Sequence, residues 1–247
     1  MITIKSDSEI QLMREAGEIL RDTLNMLAGH VKPGVTTKEL DKLAHDYIKS
    51  RGAKPSFLGY GGFPGSICAS VNEQVVHGIP SSRRLKEGDI IGIDCGVIYK
   101  GWQSDAARTF AVGQISDKHK KLIEITEQCF FEAVKVIRDG ARLGDIGAAV
   151  QNLAESNGFS VVRDLVGHGI GKEMHEDPQV PNYGKAGKGL RLKRNMTLAI
   201  EPMINEGTYE VSGLDDGWTV VTDDDGYSAH YENTVVVTEN GCEILSL

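Results

Sequence analysis

Apolar residues recur every three or four positions in four stretches of the chain. Between those stretches shorter runs alternate or stay continuously apolar, which predicts helix pairs separated by strands. Ser6 and Glu9 have capping-box spacing, and Ile10, Met13, Leu20, Leu24 and Leu27 then share one helical face until Gly29. Thr36 and Glu39 repeat the box before a second helix, which carries Leu40, Leu43, Tyr47 and Ile48 inward and stops at Gly52. A Gly/Pro-rich stretch from Pro55 to Gly65 leads into three β-like runs, SICASV, DIIGIDCGVIY and ARTFAV. The order then begins again. Residues 117–139 carry Leu122, Ile125, Cys129, Ala133, Val136 and Ile137 at helical spacing, and a further helix runs through Ile146, Val150 and Leu153 to Gly158.

The recurrence is residue-specific. An offset of 106 pairs Gly34 with Gly140, Leu40 with Ile146, Ala44 with Val150 and Gly52 with Gly158. An offset of 107 pairs Arg84-Leu85-Lys86 with Arg191-Leu192-Lys193, and Asp94 with Glu201. A duplicated helix–helix–strand–strand unit follows, with halves of about 1–112 and 113–247 related by a pseudo-two-fold axis. The halves are expected to pair their strands into one sheet with helices outside it. With no linker-like boundary between them, residues 1–247 read as one α+β domain.

Composition narrows the partners. The 247 residues carry a formal charge of −8, which argues against a broad nucleic-acid footprint built from clustered Lys and Arg. The longest apolar runs, Ile90–Ile93 and Val235–Val237, are far too short to cross a bilayer. MITIKSDSEI lacks a basic stretch followed by an apolar one, so a cytoplasmic protein is expected. Cys68, Cys95, Cys129 and Cys242 lie far apart without a CxxC pair, which fits reduced thiols.

The candidate chemistry lies in acids embedded in apolar strands. In IIGIDCGVIY, alternation sends Ile91, Ile93, Cys95 and Val97 one way, and Gly92, Asp94 and Gly96 the other. A lone buried carboxylate costs several kcal/mol or takes up a proton, so Asp94 calls for a cation. Asp105 in SDAARTFAV, Glu201 in LAIEPMI and Glu232 in HYENTVVV repeat the anomaly, one acid on each of two strands per half. Any one of them alone reads as a cap or a surface ion pair. Four at symmetric positions converge on the axis, where two divalent cations would cancel their charge. Oxygen donors with a neutral imidazole suit Mn²⁺, Fe²⁺, Co²⁺ or Zn²⁺.

His168 and His175 occur in GHGIGKEMHEDP, where glycines leave the backbone bare around the first imidazole and a bent path gives the two rings different posts. His77, in VVHGIP, is placed on a turn at a strand end. His30, His45 and His119 receive no role. His230, two residues before Glu232 on the same strand face, is a candidate support that hydrogen-bonds a metal ligand without itself being one, with core packing as an equal alternative.

The motifs VVHGIP, DCGVIYKGWQSDAARTF, GHGIGKEMHEDP, AIEPMI and HYENTVVV resemble those of the type I methionine aminopeptidases, nearly end to end. The resemblance implies the pita-bread fold, a curved and mainly antiparallel sheet. It implies two divalent metal ions per chain (Co, Mn, Fe(II) or Zn): Asp94 chelates one, His168 and Glu201 bind the other, and Asp105 and Glu232 bridge them. Non-ligand roles are implied for His77, at the scissile amide nitrogen, and His175, at the carbonyl oxygen, with Glu201 also relaying the water proton. Phe57, Tyr60, Phe63, Cys68, Met174 and Trp218 would form the pocket for methionine. Phe57, Phe63, Met174 and Asn233 depart from the usual cysteine, tyrosine, phenylalanine and histidine. The implied substrates are N-terminal methionyl peptides and nascent polypeptides near the ribosome, when the second residue is small. A monomer without membrane or direct nucleic-acid contact is expected.

Two other readings remain. A peptidase of proline-containing peptides would use the same fold, but chain length and the aromatic pocket oppose it. A binding module that had lost catalysis would be expected to lose ligands, and here all five are present.

Overall fold

The computed structural model describes residues 2–247; Met1 lies outside them. The first half runs α1 (Asp7–Ala28), α2 (Thr37–Ser50), β1 (Lys54–Pro55), β2 (Ile67–Val71), β3 (Gln74–Val76), β4 (Ile90–Tyr99) and β5 (Trp102–Ala111). The second runs α3 (Asp117–Val136), α4 (Leu143–Ser156), β6 (Ser160–Val161), β7 (Gly167–Gly169), β8 (Glu176–Val180), β9 (Thr197–Ile200) and β10 (Met203–Asn205). It closes with β11 (Val211–Gly213), β12 (Val220–Thr222), β13 (Ser228–His230), β14 (Asn233–Val237) and β15 (Cys242–Ile244).

Both capping boxes form. The Glu9 carboxylate accepts from the Ser6 N–H at 2.8 Å and that of Glu39 from the Thr36 N–H at 2.7 Å, while each hydroxyl accepts from the helix. The third helix ends at Val136, three residues before the expected 139, because Ile137 is already extended (ψ 120°).

The internal repeat is visible in matched backbone bonds. Gly34 N–H donates to Leu85 O (2.7 Å), and Gly140 N–H to Leu192 O (3.0 Å). Isolated antiparallel bridges join Thr36 to Arg84 and Arg142 to Arg191 at the same offsets. The paired stops share their reason: Gly34 and Gly140 (φ 91° and 82°) and Gly52 and Gly158 (72° and 83°) all occupy the left-handed region that penalises a Cβ.

Each half buries its helices on its own strands. Leu20, Leu40, Ile91 and Ile93 belong to one core and Leu122, Ile146, Val150 and Leu198 to the other, all fully buried. Truncating any of them to alanine should cost about 2–5 kcal/mol. The chain ends cross between the halves. The C-terminal segment presses on α1 so closely that a Cβ at Gly17 would lie 2.0 Å from Leu245 O.

One sheet was the expectation; the backbone pairs instead in four, ordered β1-β4-β2 with β5 on β4, β13-β10-β6, β11-β12-β3 and β15-β14-β9-β7-β8. The break has a local cause. β9 and β10 face β14 and β13 in one continuous register, Ile200 opposite Asn233 and Met203 opposite His230. Between them lie Glu201 and Pro202, and Pro202 has no N–H for the ladder. Glu232 pairs instead with the other half, donating to Ala107 O at 3.0 Å and accepting from Ala107 N–H at 3.3 Å. The halves are therefore stitched together where the acids sit.

Candidate metal centre

Asp94 and Asp105 come from adjacent strands. Asp94 is opposite Ala107, and Asp105 opposite Gly96, so the carboxylates lie diagonally on one face. Gly96 is glycine for space: its Cβ would fall 2.8 Å from Met174 Cε and from Ser56 Cβ. Gly92 is not, since nothing would approach closer than 3.7 Å. Asp105 is tied to the second half by Thr234, whose Oγ1 accepts from its N–H at 2.8 Å and donates to its carbonyl at 3.0 Å.

His168 rides on β7, which is pressed between neighbours. A Cβ at Gly167 would meet Ala199 O at 2.4 Å and one at Gly169 would meet Asp177 O at 2.2 Å. Those glycines let the strand reach the cluster. The Nδ1–H of His168 donates to Gly169 O (2.9 Å), which leaves Nε2 bare, 3.6 Å from Glu201 Oε1 and 3.9 Å from Asp105 Oδ2.

The cluster is electrostatically incomplete. Burial pushes all four acids up, Asp94 to about 7, and repulsion from neighbouring carboxylates adds to it at Asp105, Glu201 and Glu232, which lie well above the carboxylate range. Burial pushes the imidazoles the other way, His168 to about 4 and His230 to about 3, so both are neutral bases at physiological pH. Arg108 offsets Glu232 only in part, because its guanidinium donates to Ala107 O, Glu232 O and Asn233 Oδ1 and not to a carboxylate of the cluster.

The orphaned atoms say what is missing. Asp94 Oδ1, Asp105 Oδ1, Glu232 Oε1 and His230 Nε2 are buried without a hydrogen-bond partner. Each such group costs about 1–3 kcal/mol unless something satisfies it. Three are carboxylate oxygens, which a cation, a proton or a hydrogen-bond donor can satisfy. Two donor triads overlap, Asp94/His230/Glu232 and Asp105/His168/Glu232, with each triad's ligand atoms within 4.8 Å of one another. They share Glu232, each could hold a cation, and the donor set fits divalent ions of intermediate hardness. The acids open into a cavity of about 190 Å³ whose other wall includes Phe57, Tyr60, Phe63, Cys68 and Trp218. Phe63 and Trp218 meet edge to face, 5.2 Å between ring centroids.

Comparison with known proteins agrees with this site. Residues 11–239 match the model of metallopeptidase family M24. The chain belongs to that family. It is 59% identical to a methionine aminopeptidase of Clostridium acetobutylicum over all of this chain and 99% of the relative. It is 52% identical to methionine aminopeptidase 1 of Bacillus subtilis, again over all of this chain and 99% of the relative. The crystal structure of methionine aminopeptidase from Rickettsia prowazekii superposes with a TM-score of 0.99 at 47% identity, covering the whole of both chains. Prolidase from Pyrococcus furiosus matches at TM-score 0.80 and 25% identity, over 99% of this chain and 65% of the prolidase. The pita-bread fold is thus common to this M24 chain and to both kinds of relative.

Most of the residues singled out from the sequence meet around the M24 cavity. Asp94, Asp105, His168, Glu201 and Glu232 line it together with His77 and His175. His77 follows β3 on a turn at φ 60°, a costly conformation for a non-glycine residue. His175 lies one short loop beyond His168, with 4.3 Å between ring centroids, so the different posts expected of the two rings are adjacent ones. Its Nδ1 is 2.7 Å from Tyr60 Oη.

Met174 is the correction. It is not part of the cavity wall but is buried at 1% exposure in the cluster containing Phe57, because the Gly96 gap admits its Cε behind the wall. Val76, Leu165, Val166 and Met203 line the cavity and went unread. Val76 and Met203 neighbour motif residues, which was the available signal; Leu165 and Val166 offered none.

Proposed function

We propose that this M24 metallopeptidase is a methionine aminopeptidase that releases the initiator methionine when the second residue is small. The observation that carries the reading is one cavity joining five convergent metal-type donors to an apolar wall of Phe57, Tyr60, Phe63, Cys68 and Trp218. Asp94 would hold one divalent ion, His168 and Glu201 the other, with Asp105 and Glu232 between them. When bound, the ions supply a water acidified toward neutral pH and an electrophile for the scissile carbonyl.

The chain's residues do the rest. The apolar wall receives the methionine side chain and orients the peptide bond over the acids. Glu201, whose proton affinity burial has raised, accepts the proton of the attacking water and returns it to the leaving amine. With Nδ1 accepting from the Tyr60 hydroxyl, His175 keeps its proton on Nε2 and donates it to the developing oxyanion. His77, neutral through burial, stands at the amide nitrogen. The substrate's α-amino group belongs at the Asp94 end, which restricts cleavage to chain termini.

In the cell the substrates would be nascent polypeptides emerging from the ribosome, met in the cytoplasm by a monomeric enzyme. The four free thiols suit that reducing setting. A metal-reconstituted assay of Met-Xaa peptides, Xaa running from Ala to Lys, with bound metal counted in the same sample, tests the reading. Release should require two ions and decline as Xaa grows. Faster hydrolysis of Ala-Pro-Ala than of Met-Ala-Ser would replace this reading with the proline-directed one.

A further inference from the structure

His230 is the imidazole beside the acids that the mechanism leaves unused. Its side chain is only 3% exposed and its Nε2 has no hydrogen-bond partner. Thr109, on a strand of the opposite half, clamps its backbone: Oγ1 accepts from His230 N–H and donates to His230 O, both at 2.9 Å. The ring is thereby held on the face that also carries Glu232, two residues on.

Its placement repeats that of His168. His168 Nε2 is 3.6 Å from Glu201 Oε1 and 3.9 Å from Asp105 Oδ2, while His230 Nε2 is 3.6 Å from Glu232 Oε2 and 3.9 Å from Glu201 Oε2. Glu201 is bracketed by an imidazole on each oxygen. These separations are too long for hydrogen bonds. They are close to the roughly 3.0–3.5 Å expected between donors that share an ion at about 2.0–2.2 Å. Asp94, His230 and Glu232 also form one of the two triads whose donor atoms lie within 4.8 Å of each other.

We propose that His230 is a sixth metal ligand, giving its Nε2 to the ion held by Asp94 and Glu232. Each ion of the pair then has one imidazole, His168 on one side and His230 on the other. The inference rests on the two-ion reading of the cluster. It makes the Asp94-side site softer and more selective for borderline ions than an all-carboxylate site, which would suit Mg²⁺ or Ca²⁺.

Crystals of the full chain loaded with Zn²⁺, examined by anomalous scattering, test it directly. The expected result is two ions, with His230 Nε2 about 2.0–2.1 Å from the one nearer Asp94. Two ions with that nitrogen beyond about 3 Å from both would overturn the sixth ligand and leave the dinuclear reading standing. A single ion, or none among the acids, would overturn both. In solution, calorimetric titration of Zn²⁺ into His230→Gln should weaken one of two binding events at least about 10-fold and spare the other, with the metal-free melting temperature as the check on folding. Unchanged binding of both ions overturns the proposal.

Discussion

Tyr60 Oη lies 2.7 Å from His175 Nδ1, across 115 residues of sequence, and when the hydroxyl donates there the ring proton sits on Nε2, as the proposed oxyanion contact requires. Tyr60→Phe removes one neutral hydrogen bond, worth about 1 kcal/mol, and frees the tautomer. The expected result is a roughly fivefold lower kcat with metal content unchanged. Loss of metal in this variant would show that Tyr60 supports the ions rather than His175.

Ligand and non-ligand roles separate cleanly by substitution. Asp94→Asn should lose metal and activity together, each by more than about 100-fold, since outer partners alone account for 10–100-fold effects. His175→Ala should keep both ions and lose about 10²–10³-fold in kcat, the cost of removing one oxyanion donor. Metal counting beside steady-state kinetics decides it. Equal metal loss in the two variants would move His175 into the ligand set.

Part of this site was legible because strand periodicity makes it so. A carboxylate at Asp94, between Ile91, Ile93, Cys95 and Val97, announces itself without a structure, and Glu201 announces itself as its repeat. The helix pairs were equally readable, as Ser6/Glu9 and Thr36/Glu39 are local signals. What joins distant segments was not. The contact of Tyr60 with His175 and the buried pair of Lys5 Nζ with Glu176 Oε2, 2.5 Å apart, depend on loops whose approach no periodicity encodes. The pairing of Glu232 with Ala107, where the ladder breaks between β9 and β10, is again a choice made between the halves.

Removing metal should make stability fall with rising pH near neutrality. Burial raises Asp94 from 3.8 to about 7 in the metal-free fold, so the folded state holds its proton more tightly than the unfolded one. That contribution is complete below the unfolded value and is lost as pH climbs through about 7. The imidazoles act oppositely, His168 at about 4 and His230 at about 3 against 6.5, and their contribution fades only roughly one unit above 6.5, where the unfolded rings are neutral as well. Over roughly pH 7.5 to 8.5 the raised acids dominate the slope. Chelator-treated protein should therefore show a falling Tm over that window while metal-loaded protein does not. Parallel melting curves for the two forms would show that the acids are not crowded.

The pocket can be narrowed from behind without touching a metal donor. Gly96→Ala places a methyl 2.8 Å from Met174 Cε and from Ser56 Cβ, and 3.0 Å from Phe57 Cε1. Ser56 Cβ cannot retreat without its backbone, so the strain passes to Met174 and to the Phe57 ring, which faces the cavity. Overpacking of this kind costs about 1–3 kcal/mol of stability. Because the ring moves toward bound methionine, KM for Met-Ala-Ser should rise roughly 10-fold, the effect of about 1.4 kcal/mol, while kcat and metal content hold. Met174→Ala added to Gly96→Ala vacates the space behind the wall and should restore KM, a coupling read from the double-mutant cycle. If KM stays raised in the double variant, the methyl acts on Phe57 directly and Met174 is not the element that transmits it.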